Sequence, residues 1–124
     1  MKIKSVSGLT LSVKNLNKTA AFYEALGFDI RKRETDHITA YSNWFWIDFL
    51  AIGKDERAKP AIGTTDKGGS VLIYLSVDDV DGFHQDLLSR KLKPATKPQD
   101  QPWGNREFLL RDPDGHTLVI FKRK

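Results

Sequence analysis

Hydrophobic residues alternate with small or polar residues along the stretch that ends at Val13. Leu9, Leu11 and Val13 share one face, and the residues between them are small or polar. A period of two residues is typical of a half-buried β-strand. Hydrophobic residues then recur at helical spacing between Asn15, which can cap a helix, and Gly27, which can end one. The chain is therefore predicted to begin with a strand followed by a helix.

Three strand-like segments follow this predicted helix. Residues 29–35 and 37–43 are predicted as two strands around a tight turn at Asp36, and residues 44–52 as a third, strongly apolar strand. The first half of the chain thus has the predicted order β-α-β-β-β. Residues 53–69 are polar and rich in charge, which favours a connection between two halves.

The second half repeats this order of elements. Leu75-Ser76-Val77 matches Leu11-Ser12-Val13 at an offset of 64 positions, and the same offset pairs Asn15 with Asp79 as helix caps. Agreement of strands and caps at one offset indicates a duplication inside one domain, because a solenoid needs about three or more repeats. The predicted elements are a strand at 71–77, a helix after Asp79, a short strand around 94–97, and strands at 107–111 and 117–121 joined by a turn at 112–115.

The length and composition fit one folded domain. The chain has 124 residues, of which 40% are hydrophobic and 29% are charged, so it can form a core. We predict a single domain over residues 1–124, with motif one at about 4–52, the connection at 53–69 and motif two at about 70–122.

Composition also excludes several classes of chemistry. The chain has no cysteine, so it can form no disulfide, thiolate metal site or cysteine nucleophile. No run approaches the roughly 18 apolar residues that a membrane span needs, and the first residues lack the apolar stretch of a signal peptide. These features predict a cytoplasmic protein without a membrane partner.

The basic residues are dispersed along the chain. The formal net charge is +4, but the excess is spread thinly, and the densest basic cluster at a chain end is Lys122-Arg123-Lys124. A nucleic-acid surface needs a contiguous basic patch or a known motif. The cluster is therefore interpreted as a solvated chain end, and no nucleic-acid partner is predicted.

Several short motifs occur in a fixed order. The region of the first strand and helix contains Val13-Lys14-Asn15-Leu16, Ala21-Phe22-Tyr23-Glu24 and Leu26-Gly27-Phe28. The end of the first strand of the second half and the start of its helix contain Val77-Asp78-Asp79-Val80, and the turn before the last strand contains Asp112-Pro113-Asp114-Gly115-His116. The ordered set resembles the glyoxalase, bleomycin-resistance and extradiol-dioxygenase (vicinal oxygen chelate) superfamily. The resemblance implies an α+β fold in which two βαβββ motifs form a curved mixed sheet around a cavity. It also implies a homodimer.

A further pair of motifs narrows this resemblance. Pro102-Trp103-Gly104 and Arg106-Glu107-Phe108 are similar to the bleomycin-resistance-like branch. Trp103 is either a loop aromatic that packs on the core or a contact for a ligand.

The metal ligands of the enzymes in this superfamily do not carry over to this chain. The resemblance places the four ligand positions at Gly8, Leu72, near Asp48 and at Val119. Only the aspartate offers a donor atom, and one protein ligand does not hold a catalytic metal. The three histidines have no ligand spacing with one another, so each is assigned a structural or surface role. No metal, no cofactor and no catalytic residue are predicted.

The expected cavity face contains two tryptophans and a carboxylate. Trp44, Trp46 and Asp48 alternate along the third apolar strand, and Tyr74 and Trp103 come from the second half. Aromatic faces beside a carboxylate suit a flat or cationic organic ligand. These five residues are the predicted ligand-binding site. Asp48 either contacts the ligand or is satisfied by a partner inside the fold.

The leading prediction for function is a metal-free protein of the bleomycin-resistance-like type that binds or sequesters a small organic ligand. One alternative is a metal-dependent lyase, isomerase or dioxygenase of the same superfamily with displaced ligands. Another is a dimeric scaffold or regulatory module without a ligand.

Overall fold

The computed structural model describes residues 1–58 and 71–124. The chain divides into two compact units, Met1–Gly63 and Thr64–Lys124, and each is described by itself. Most of the predicted connection at 53–69, and the first residue of motif two, lie outside the described residues. Those boundaries stay predictions.

The first unit contains one helix and four strands. Strand β1 lies parallel to β4, and the β2–β3 and β3–β4 pairs are antiparallel, so the sheet has the order β1-β4-β3-β2. The elements are β1 (Gly8–Val13), α1 (Leu16–Ala25), β2 (Asp29–Arg31), β3 (His37–Ser42) and β4 (Phe45–Ala51).

The second unit repeats this arrangement. Its sheet has the order β5-β8-β7-β6, with β5 parallel to β8 and the other pairs antiparallel. The predicted α+β fold with two βαβββ motifs and mixed sheets is confirmed. The elements are β5 (Leu72–Ser76), α2 (Val80–Ser89), β6 (Gln99–Asp100), β7 (Asn105–Arg111) and β8 (Thr117–Arg123).

Both predicted helix caps are present. The Asn15 side chain accepts a hydrogen bond from the backbone N–H of Lys18, and the Asp79 side chain accepts one from the N–H of Gly82, each at 3.0 Å. Such bonds satisfy backbone donors that have no partner inside the helix. Gly27 follows α1 with a φ of +103°, a left-handed conformation that favours glycine.

Each helix packs on one face of its sheet. In the first unit Tyr23 of α1 and Phe49 of β4 are fully buried, with ring centroids 4.7 Å apart. In the second unit His84 of α2 meets Phe108 of β7 edge-on at 4.9 Å. None of the described helices is long and apolar enough to cross a membrane.

Helix α2 is also tied to its sheet by charged side chains. Arg106 of β7 donates two hydrogen bonds of 2.8 Å to the carboxylate of Asp81 and one of 3.0 Å to Asp100. The guanidinium lowers the pKa of Asp81, and the two carboxylates raise the pKa of Arg106. The Arg106 side chain is thereby engaged on the helix side of the sheet.

The predicted strand at 94–97 was wrong. The short strand that pairs with β7 is instead Gln99–Asp100. Ala95 donates one backbone hydrogen bond to Leu109, but the returning Leu109 N–H bonds to the hydroxyl of Thr96 at 2.8 Å. A side chain therefore replaces the main-chain acceptor, and the ladder does not form there.

Two other strand boundaries were wrong as well. The strand predicted at 29–35 ends at Arg31, and Lys32 has a positive φ of 55°. Asn43 also has a φ of 55°, so the chain turns at Asn43 and Trp44, and β4 begins only at Phe45. Left-handed backbone ends the pleated ladder at both places.

Candidate pocket in the second unit

The second unit contains a pocket of about 530 Å³. It draws residues from all four strands of the sheet and from the loops on either side of β6. Its walls are formed by Leu72, Tyr74, Thr96, Gln99, Gln101, Trp103, Glu107, Phe108, Leu109 and Val119.

Strand alternation positions the floor of this pocket. Tyr74 of β5 is directly opposite Val119 of β8, and Val119 is opposite Leu109 of β7. Residues opposite one another on paired strands share a face. Leu72 and Tyr74 each retain 49% of their surface exposed, so the pocket side of β5 is not filled by the unit's own core.

The loop before β7 places Trp103 at the pocket wall. Gln101 donates its backbone N–H to Asn105 at 2.7 Å, and Gly104 donates to Gln101 at 3.1 Å. Gly104 has a φ of +98°, which this turn requires and which few other residues adopt. The indole of Trp103 is 63% exposed, and its Nε1–H donates to Glu107 Oε1 at 3.0 Å.

Among the described residues that line this pocket, Glu107 is the one with a charged side chain. It is only 6% exposed. Its Oε1 accepts from Trp103 and, at 3.4 Å, from Asn105 Nδ2. The sequence analysis did not select Glu107 as a site residue. The available signal was a charged residue in the alternating series Asn105, Glu107 and Leu109, directly before the apolar centre of the strand at 108–110.

Three of the predicted site residues belong to the first unit. Trp46 and Asp48 lie on β4, whereas Trp44 lies in the turn before β4 and is 72% exposed. Asp48 Oδ1 accepts a hydrogen bond of 2.5 Å from the hydroxyl of Thr39, which is opposite it on β3. Asp48 therefore has a partner inside its own sheet.

Tyr74 and Trp103 line the same pocket, so the structure brings these two predicted site residues together. A single site that contains all five predicted residues stays a prediction, because three of them belong to the first unit and two to the second. Glu107 joins Tyr74 and Trp103 as the residue that sequence reasoning missed.

The residues at the four ligand positions of the superfamily do not fit a metal ion. A Cβ atom added to Gly8 would lie 2.3 Å from Trp46 Cδ2 and Cε3. The Trp46 indole thus occupies the space that a ligating side chain at position 8 would need. Leu72 and Val119 have no donor atom, and Asp48 already accepts from Thr39.

A different group of polar residues lies near the end of β4. Ligand atoms of Asp36, His37 and Asp55 all lie within 4.8 Å of one another. Asp55 is buried and accepts three hydrogen bonds from Arg57, at 2.6, 2.9 and 3.0 Å. These bonds lower the pKa of Asp55 to about 2. The cluster was not predicted, because folding brings Asp55 to residues that are distant in sequence.

Comparisons with known proteins agree with this topology. A family model described as "Glyoxalase/Bleomycin resistance protein/Dioxygenase superfamily" matches residues 5–120. The chain is 25% identical over 125 residues to YraH of Bacillus subtilis, an uncharacterized protein, covering 92% of this chain and 94% of YraH.

Two solved structures have the same fold at low sequence identity. The bleomycin resistance determinant encoded on the transposon Tn5 is 23% identical with a TM-score of 0.71, covering 98% of this chain and 99% of that chain. The lactoylglutathione lyase from Agrobacterium tumefaciens is 15% identical with a TM-score of 0.76, covering 98% and 95%. One neighbour is thus named for resistance and the other for catalysis, so fold alone does not separate the two functions.

Proposed function

This chain belongs to the glyoxalase/bleomycin resistance protein/dioxygenase superfamily, and within it we propose that the protein binds and holds a small organic molecule without using a metal ion. Binding of this kind needs a shaped cavity and no catalytic group. It follows the leading prediction from the sequence, with the pocket of the second unit as its structural support.

The pocket is the observation that carries the proposal. Its volume of about 530 Å³ falls within the range of roughly 300–1,000 Å³ that is usual for small-molecule sites. Its walls combine apolar and aromatic side chains with a few polar groups, including the amides of Gln99 and Gln101. Apolar walls supply affinity, and a small number of polar groups fix the orientation of a ligand.

The donor set supports binding over family-type metal catalysis. The Trp46 indole occupies the space beside Gly8 that a ligating side chain would need. Neither Leu72 nor Val119 has a side-chain atom that can ligate a metal. A catalytic divalent metal needs about three protein ligands with an open position. Asp48 alone does not meet this requirement.

The alternative of an enzyme with displaced metal ligands has one supporting observation. Asp36, His37 and Asp55 form a three-donor group among the described residues. The argument against it is that Arg57 already neutralises the buried Asp55 carboxylate. Metal analysis of protein purified without added metal distinguishes the two functions, and a stoichiometric transition metal or zinc would favour the enzyme.

A thermal-shift screen of small organic molecules tests the proposed function. A ligand that binds only the folded state raises the melting temperature, by an amount that grows with its concentration above Kd. Tryptophan fluorescence is a second measurement, because the chain has three tryptophans and Trp103 lies in the pocket wall.

A matched pair of variants assigns any binding to this pocket. Leu72 lines the pocket and is 49% exposed, whereas Leu88 lies on α2 away from the pocket and is 46% exposed. Leu72→Trp should block a ligand found in the screen, and Leu88→Trp should bind it as the parent does. The proposal is wrong if no compound stabilises the protein, or if both variants bind equally well.

We further propose that the protein is a homodimer in the cytoplasm. The dimer follows from the family resemblance, and a resistance role by sequestration follows from the bleomycin-resistance-like motif around Trp103. The proposed function involves neither a nucleic-acid partner nor a membrane partner.

A further inference from the structure

The carboxylate of Glu107 has two oxygens in different situations. Oε1 accepts from the indole of Trp103 at 3.0 Å and from the amide of Asn105 at 3.4 Å. Within the described part of the chain, Oε2 has no hydrogen-bond partner. A carboxylate has about four acceptor positions, so half of this group's capacity is unused.

Glu107, which carries this oxygen, is only 6% exposed to solvent. Burying an ionised carboxylate is costly unless it is paired and hydrogen-bonded. Two neutral donors on Oε1 do not supply a counter-charge. Oε2 is not among the buried unpartnered atoms of the described residues, so it keeps contact with solvent and is open to a ligand.

Nearby basic side chains do not neutralise Glu107. The preceding residue, Arg106, faces α2 and is held by Asp81 and Asp100. Lys124 is likewise paired with Asp100 at 2.7 Å. Among the described residues that line the pocket, no lysine, arginine or histidine occurs. Glu107 is thus the one formal charge among the described residues that line the pocket, although the chain has a net charge of +4.

We propose that Glu107 selects the ligand: its Oε2 accepts a hydrogen bond from a positively charged nitrogen, such as an amidinium, guanidinium or ammonium group, on a molecule whose apolar part lies against Trp103 and Tyr74. This inference rests on the proposed binding function and names the class of ligand and the residue that recognises it. Asp48, which carried the cationic preference in the sequence analysis, belongs to the first unit and is paired with Thr39.

Trp103 and Glu107 act as one recognition unit. Both residues line the pocket, and the bond from the indole Nε1–H engages Oε1, which leaves Oε2 for the ligand. A ligand that pairs with Oε2 gains a charged hydrogen bond, and its apolar part gains contact with an aromatic face.

Two probes of nearly the same shape test the inference: 2-naphthamidine, which is cationic, and 2-naphthamide, which is neutral. The parent protein should bind the amidine at least 10-fold more tightly than the amide, as measured by calorimetry and tryptophan fluorescence. Glu107→Gln keeps an acceptor oxygen for Trp103 and removes the charge. It should lower the affinity for the amidine by about 10- to 100-fold and leave the affinity for the amide within about 3-fold.

Asp78→Asn is the matched control for charge. Asp78 is exposed on the same unit, does not line the pocket, and its replacement removes the same charge. Affinity for the amidine should stay within about 2-fold of the parent, which separates a local contact from the overall field.

The indole N–H of Trp103 provides a measurement that does not depend on the Gln variant. The chain has three tryptophans, so a nitrogen–proton spectrum shows three indole signals, and Trp103→Phe identifies one of them by its loss. Because Trp103 shares the Glu107 carboxylate with the ligand, naphthamidine should shift this signal in the parent protein more than the signals of Trp44 and Trp46.

The outcomes distinguish this inference from the proposed function. If both probes bind equally well to the parent, or if Glu107→Gln binds the amidine unchanged, the inference is wrong and the pocket remains a binding site. Amidine binding without a shift of the Trp103 signal also overturns it. If neither probe binds, the inference is again overturned, and the thermal-shift screen decides the proposed function separately.

Discussion

Replacing Gly8 by alanine tests how closely β1 and β4 approach at the start of the first sheet. The added Cβ would lie 2.3 Å from two ring atoms of Trp46 and 2.5 Å from its backbone oxygen, whereas ordinary contacts are 3.4–4 Å. The ring and the strand must each move by about 1 Å. Overpacking of this kind costs about 1–3 kcal/mol, which corresponds to a fall in melting temperature of roughly 4–12 °C for a domain of this size.

A second substitution separates the two contacts. Trp46→Ala removes the ring and leaves the backbone oxygen, so Gly8→Ala should cost less in that background than in the parent, but still cost something. Thr10→Ala is the control, because Thr10 is exposed on the same strand and should change stability by less than about 0.5 kcal/mol. Chemical denaturation monitored by circular dichroism gives the free energies of unfolding. If Gly8→Ala unfolds within 0.5 kcal/mol of the parent, the indole does not fill this position and the steric part of the argument against a metal site there fails.

Three further predictions concern charge, capping and assembly. Arg57→Gln should lower the melting temperature at neutral pH. The difference from the parent should be fully present above the ordinary pKa of aspartate, near 4, and should disappear as the pH falls through about 2, the pKa of Asp55 in the folded state. A difference that does not depend on pH would contradict an electrostatic role. Asp79→Ala should cost about 1 kcal/mol because α2 loses its N-cap, whereas Asp78→Ala should be nearly neutral by denaturation. Light scattering at micromolar concentration should give the mass of a homodimer, and a monomer mass alone would refute the dimer.

Much of the fold could be predicted from local sequence signals. Asn15 and Asp79 cap their helices because each side chain reaches a backbone N–H three residues later, which depends only on neighbouring residues. Gly27 ends α1 for a similarly local reason. The strand boundaries were less predictable, since Asn43 adopts a left-handed conformation that residues other than glycine adopt infrequently.

The candidate site was only partly predictable, because its key contacts join separate segments. Trp103 was selected from its motif, but its bond to Glu107 depends on the turn at Gly104, which the sequence pattern did not specify. Asp55 is 19 positions after Asp36 in the sequence, and the two lie together only because the chain folds back through β3 and β4. The pairing of Asp48 with Thr39 follows from the β3–β4 register, which binary patterning leaves open by two residues in either direction.

The parallel pairing of β1 with β4, and of β5 with β8, sets an order for folding. The antiparallel pairs β3–β4 and β7–β8 join strands that are neighbours in the chain, and such hairpins form in about 1–10 μs. The opening strands β1 and β5 must instead close a loop that contains the helix and two other strands, which costs more chain entropy. In each unit the first strand synthesised is therefore expected to dock last. Substitutions in β1 or β5 should then accelerate unfolding while leaving the folding rate nearly unchanged.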